Sequence, residues 1–324
     1  MSNELFFEPK TKQYGSHMVM TNVSKPLKTK YINIDTKFRD EYNYSQAVNY
    51  NITLPERINE VTSMRVVSTE IPMSYYNISE ELDNNYFYLT YINAQNTTFE
   101  YKIVVPDGCY NNIDLFNAIQ LKIISFVGTN SNPISGYFYN GFSMNSFGTY
   151  SNVNEIQINI SQQVNPESYI LKFATNPDGT PSKLNFKYKL GWILGFRKPT
   201  YSFNTSTNVS LKAEVFMDTY GPKYLYLAIE EFNKGNQSSF VTPVSKSLLN
   251  KNIIARITIN RNGGHDFGTV LPTNIFNGLL MSDTRSYTGK IDLMKLNVQL
   301  LTENGTVVNL NGLDFSFCLE VTHE

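Results

Sequence analysis

The feature that most constrains this chain is a two-residue alternation of apolar and polar side chains, recurring from Tyr31 to the carboxyl end. In VNYNITL, Val48, Tyr50, Ile52 and Leu54 fall on one side of an extended backbone, the pattern of a strand buried on one face. YINID, VTSMRVVSTEIP, NYFYLTY, FEYKIVV, EIQINI, YILKF, KYLYLAIEE, NIIARITIN, KIDLMKLNVQLL, TVVNL and LDFSFCLEV read the same way. In KLNFKYKL, Leu184, Phe186, Tyr188 and Leu190 would share the buried face, leaving the lysines solvated. Pro55 and Pro72 are expected to end strands, PDG at 106–108 to make a turn, and Asn304-Gly305 to close a hairpin.

One segment departs from this period. In NNIDLFNAIQLKIISFVG, Asn111 or Asn112 can cap a helix and Asp114 complements its dipole. Phe116, Ile119, Ile123 and Phe126 can face a core, and Gly128 stops the helix. About a dozen strands, one prominent helix and no βαβ alternation predict a mainly β chain, an antiparallel β-sandwich of jelly-roll type. Residues 31–324 are expected to form that sandwich, with a helix-containing insertion at about 96–214; two tandem sandwiches are the alternative. Residues 1–30, where Lys10, Lys12, Lys25, Lys28 and Lys30 outnumber Glu4 and Glu8, read as a basic flexible arm.

Composition narrows the function. Of 324 residues 41% are hydrophobic, enough for a large core, while 17% are charged, below the ~25% usual in soluble domains. A surface short of charge and rich in Tyr (22) and Asn suits contact with other proteins. The net charge of −1 favours neither nucleic acid nor an anionic membrane. No apolar run approaches the ~18 residues that would span a bilayer. The first residues lack the apolar run of a secretory signal, so none is expected. Cys109 and Cys318 have no framework spacing, so no disulfide is expected.

Motifs for catalysis are missing. His17 and His323 lie in terminal segments, and His265 beside Asp266 reads as a surface loop. The acid pairs Asp35/Asp40 and Glu230/Glu231 would need carboxyls ~5–10 Å apart across a sugar to act as a glycosidase. The chain is therefore read as no enzyme, with no cofactor and no metal. A single-stranded nucleic-acid grip at 183–198, with Lys183, Lys187, Lys189, Arg197 and Lys198 among Phe186, Tyr188 and Trp192, is a second alternative. A carbohydrate-binding β-sandwich is the first.

Two stretches are candidate interfaces. LGWILGFRKP holds the only tryptophan. Trp192, Leu194 and Phe196 can plug the end of the sandwich, with Arg197 and Lys198 at the rim, where Arg and Trp are favoured anchors. In TKFRDEYN, Arg39 and Asp40 either pair locally, as a surface bridge worth ~0–1 kcal/mol, or cross a subunit boundary.

Taken in series, YINIDTKFRD, NYNITLPERINEVTSMRVVSTEIPMSYYNIS, VVPDGCYNNIDLFNAI, LGWILGFRKPTY, GPKYLYLAIEEFN, NIIARITI and IDLMKLNVQLLTENGTVVNLNGLDFSFCLEV resemble the jelly-roll minor capsid and penton-type proteins of nucleocytoplasmic large DNA viruses. The resemblance spans roughly residues 31–324. It implies a non-enzymatic part of an icosahedral capsid, located in the virion and assembled in the host cytoplasm. It also implies the major capsid protein and other capsid proteins as partners, and a homo-oligomer, a pentamer if at vertices. It carries over no catalytic residue.

Overall fold

The structure is a computed structural model that describes residues 25–127, 136–145, 155–176, 178, 180–182, 185–232, 252–259 and 266–324, with the backbone of two short strands at 11–14 and 18–21. The rest of the basic arm, His17, Lys183, Leu184 and His265, and residues 129–135 and 146–153 of the glycine-rich stretch, lie outside the described residues.

In chain order the elements begin with β1 (Thr11–Tyr14), β2 (Met18–Thr21), β3 (Lys28–Asp35), β4 (Asn49–Pro72), β5 (Tyr86–Ile92) and β6 (Thr98–Val104). Then come α1 (Asn112–Ile124), α2 (Gly136–Gly141), β7 (Phe142–Asn145), β8 (Glu155–Ile160), β9 (Ser168–Lys172) and α3 (Leu190–Ile193). The remaining strands are β10 (Thr200–Asn204), β11 (Val209–Lys212), β12 (Tyr224–Glu230), β13 (Ile253–Thr258), β14 (Val270–Asn274), β15 (Leu280–Ser282), β16 (Arg285–Thr302) and β17 (Ser316–His323). All their pairings are antiparallel. The chain is mainly β with a few helices, as the alternation predicts.

The chain divides into two compact units, Met1–Met73 with Tyr224–Glu324, and Ser74–Lys223. The second unit's span contains residues 96–214.

The first unit is built on one eight-stranded sheet ordered β15-β13-β12-β16-β4-β17-β3, with β14 also on β4. Its spine is β4. The alternation of Tyr50, Ile52 and Leu54 puts those side chains in the interior. Tyr50 stands opposite Val298 and Ile52 opposite Leu296 on β16. Further along, Met64 and Val66 stand opposite Val321 and Leu319 on β17. Each fully buried Leu or Ile on these strands contributes about 1.5–3 kcal/mol by leaving water.

Pro55 does not end a strand; β4 runs through it. The reason is local. The register with β16 slips between Ile58/Leu293 and Thr53/Lys295, so Pro55 sits where the ladder is already interrupted, and a missing N–H is tolerated at such an irregularity. The same stretch is stitched by Asp292, which accepts from the Glu60 amide at 3.1 Å and pairs with Arg57. TVVNL likewise forms no strand, only a single bridge between Val307 and Leu301 beyond the 304–305 turn.

In the second unit a four-stranded sheet, β10-β9-β5-β6, and a three-stranded sheet, β11-β8-β7, share one core. Helix α1 closes it. Asn111 caps α1 by accepting from the Asp114 amide at 2.9 Å, and Leu115, Phe116, Ile119 and Ile123 are its buried face. The core is aromatic: Phe138 of α2 stacks on Tyr169 of β9 at 5.3 Å, and Phe116 on Phe142 at 5.7 Å. Residues 185–190 of KLNFKYKL do not form a strand. Asn185 accepts from the Lys187 amide at 3.1 Å and starts a tight turn over Phe186–Tyr188, which leads into α3.

Candidate protein interface

The first candidate stretch forms a corner of the first unit. Asp35 accepts from the Lys37 amide at 3.0 Å and opens a short helical turn, Thr36–Phe38. Arg39 then turns inward. One Nη donates to Asp314 at 2.7 Å and to the Thr36 carbonyl at 2.8 Å, Nε donates to the Ser45 carbonyl at 3.2 Å, and the guanidinium lies 4.0 Å from the centre of the Tyr42 ring. Its side chain is only 8% exposed. Buried Thr36 donates its hydroxyl to the same Asp314 oxygen at 2.7 Å.

Asp40 does not pair with Arg39. It accepts from the Thr53 amide at 3.1 Å and hydroxyl at 2.7 Å, fastening the corner to β4. The local Arg39–Asp40 surface bridge is thus corrected: the guanidinium finds an acid that arrives from far along the chain, which no local spacing discloses. What the corner shows to solvent is aromatic. Phe38 is 70% and Tyr44 92% exposed, with Tyr42 and Leu313 also exposed. Glu41, exposed beside them, accepts backbone bonds from Tyr44 and Ser45 and has a left-handed φ of 53°.

The second stretch is a corner of the second unit. Leu190, Leu194 and Phe196 are in the core, with Phe196 stacked on Phe173 at 4.9 Å. Two glycines allow this packing. A Cβ on Gly191 would lie 2.3 Å from the Phe173 ring, and one on Gly195, whose φ is +96°, 2.0 Å from the Val215 carbonyl oxygen. Trp192 stays half-buried. Phe186 meets its ring edge-on at 5.7 Å, the Arg197 guanidinium lies 3.8 Å from its centre and Lys187 Nζ 5.9 Å. Arg197 also donates to the carbonyls of Trp192 (3.0 Å) and Phe196 (2.9 Å), which fixes the stack.

Tyr201 locks the turn. Its hydroxyl accepts from the Arg197 amide at 3.0 Å and the Lys198 amide at 2.9 Å, and donates to the Glu214 carboxylate at 2.7 Å. Burial, reinforced by Glu214, pushes the Tyr201 phenol above its ordinary range. Burial works to raise the Glu214 carboxyl too, but the bonds from Tyr201 and the Arg197 amide outweigh it and hold the carboxyl below its usual value. Loop 213–218 runs alongside, since Val215 donates to the Gly195 carbonyl and Asp218 to the Ile193 carbonyl. It leaves Phe216 60% exposed, and Lys198 is exposed as well. Sequence-named Arg39 and Asp40 therefore belong to one unit, and Trp192, Arg197 and Lys198 to the other.

Several engaged groups escape sequence reading. Lys189, expected to be solvated, is 1% exposed and pairs with Asp83, its Nζ 5.4 Å from the Tyr86 ring. Turn geometry rather than strand alternation decides its direction. Glu231 is buried against Arg285 at 2.7 Å and accepts from Tyr287 at 2.6 Å, so it is a structural acid, while Glu230 is exposed. Asp35 pairs with Lys37 at 2.8 Å. Cys109 and Cys318 are half-buried and are not joined in a disulfide. Among the described residues no three His, Cys, Asp or Glu side chains gather as a metal site, and no helix is long and apolar enough to cross a membrane.

No protein family matches the chain, and no curated protein sequence does. Among solved structures it is similar to the mavirus penton protein. The crystal structure of that protein, selenomethionine-labelled, aligns over 91% of this chain and 99% of its own with a TM-score of 0.45 and 10% identity.

Proposed function

We propose that this chain is a non-enzymatic structural component of an icosahedral viral capsid, a minor capsid or penton protein that works through protein–protein contacts. One observation carries the reading: both candidate corners show aromatic side chains, wholly or partly, to water on backbones that are fixed from within. Phe38 and Tyr44 project from a turn locked by the Arg39–Asp314 pair. Half-buried Trp192 and exposed Phe216 belong to the segments tied to the turn that Tyr201 and Glu214 lock. Order of this kind reduces the entropy lost on docking, and aromatic and Arg side chains are the usual anchors of protein interfaces. The serial resemblance to capsid jelly-roll proteins supplies the setting. In it, the partners are further copies of the chain, the major capsid protein and other capsid proteins. The location is the virion, assembled in the host cytoplasm.

Many weak contacts suffice in a shell, because simultaneous engagement multiplies them. Domain organisation in this reading is one jelly roll, residues 31–324, bearing a helix-containing insertion, preceded by a basic arm that orders on assembly. The test is direct. Electron microscopy of the concentrated protein should show discrete symmetric particles, and a glycan array should give no binding. Dispersed single chains that bind a glycan would replace this proposal with the carbohydrate-binding alternative.

A further inference from the structure

The two corners differ in charge as well as position, and the difference names which surface meets which. On the corner of the first unit, Arg39 is neutralised by Asp314 and Lys37 by Asp35, which leaves Asp40 and Glu41 without a cationic partner among the described residues. Asp40 spends its carboxylate on Thr53, so Glu41, between Phe38 and Tyr44 in the sequence, is the exposed acid of this corner that makes no ion pair among the described residues. On the corner of the second unit the sign is reversed. Lys187 and Lys198 are exposed and hold no ion pair among the described residues, and the Arg197 guanidinium lies over Trp192; Glu214 and Asp218 offset part, not all, of the positive charge of Arg197 and Lys198. Each corner thus carries exposed aromatic surface and a net charge, of opposite sign.

We propose that these two surfaces bind each other between copies of the chain: the 36–45 corner of one copy docks on the Trp192–Lys198 corner of the next, with Glu41 facing Lys198. The occupant is a second copy because the charge complementarity lies within this one sequence. The contact is heterologous, a patch meeting a different patch, which is the kind that builds rings or extended arrays. It rests on the assembly reading above and adds to it the pair of surfaces and the acid that sequence reasoning did not single out. The opposite charges fix register and orientation, while the aromatic surface on both sides supplies the area removed from water.

Charge exchange on the full-length protein tests this. The variants are Glu41→Lys, Lys198→Glu and the double variant, with association followed by sedimentation velocity over a concentration series. Both side chains are exposed, and unfolding curves that overlay the parent's certify the fold. Each single reversal should raise the concentration for half-association at least tenfold, by placing like charges in contact. The double variant, which restores opposite charges, should recover most of that loss. Recovery is the decisive result, because a merely structural defect would accumulate in the double variant instead. If the single variants associate like the parent, or the double is weaker than both, the pairing of these surfaces is overturned while the capsid reading stands. A parent chain that never associates overturns the self-contact, and electron microscopy with the glycan array then judges the wider reading separately.

Discussion

Arg39 and Asp314 lie 275 positions apart in the chain and meet at 2.7 Å. The pair joins the turn after β3 to the loop before β17, and the acid is shared with the hydroxyl of buried Thr36. A side chain expected to lie on the surface is thereby a fastener of the corner that displays Phe38 and Tyr44.

Replacing Arg39 therefore affects stability before it affects any partner. Arg39→Ala leaves Asp314 part-buried without its cation, along with carbonyls that lose their donor, and should cost about 2–3 kcal/mol. Urea unfolding should show it as a lower midpoint at an unchanged slope. A variant as stable as the parent would mean that the ion pair does not hold the corner.

Lys189→Ala should be costlier than any exposed lysine substitution, by about 3 kcal/mol, because it strands Asp83 beside a 1% exposed site. Lys189→Met with Asp83→Asn removes both charges while keeping volume, and should regain most of that loss. A double-mutant cycle by thermal unfolding measures the coupling.

Gly195→Ala should destabilise by about 3 kcal/mol or more, since it adds a Cβ against a backbone carbonyl at a left-handed φ. Gly289→Ala, where nothing lies within 4 Å of the new carbon, is the control and should change little. Equal melting temperatures for the two would refute the close packing of loop 213–218 on α3.

The Glu214 carboxyl titrates below its ordinary value in the folded chain, so the stability it contributes is present above the ordinary carboxylate range and is lost as pH falls through the depressed value. Glu214→Gln should flatten that acid limb and loosen the Arg197–Tyr201 turn. Melting temperature measured from neutral to acid pH for parent and variant checks it: parallel curves would remove Glu214 from the acid response.

Much of this fold is legible in the sequence because period-two burial is a local property. Tyr50, Ile52 and Leu54 declare their face within five residues, and Asn111 declares the start of α1 through its own side chain. What stays hidden depends on distant partners. Nothing near Arg39 indicates Asp314, and the continuation of β4 through Pro55 depends on a slip in its register with β16. Lys189 misleads for a different reason: Asn185 starts a tight turn, so alternate residues no longer alternate between core and water. The candidate residues Trp192, Arg197 and Lys198 were readable as a cluster because they are sequence neighbours; the glycines beside them show their purpose only against Phe173 and Val215.

The central claim is that copies of this chain contact one another in a defined way. Light scattering on the full-length protein, coupled to size exclusion over a range of concentration and salt, tests it most directly. The account predicts a discrete species at an integer multiple of 37.0 kDa, five for a vertex ring, growing in with concentration. A mass of 37.0 kDa at every concentration and salt would contradict it.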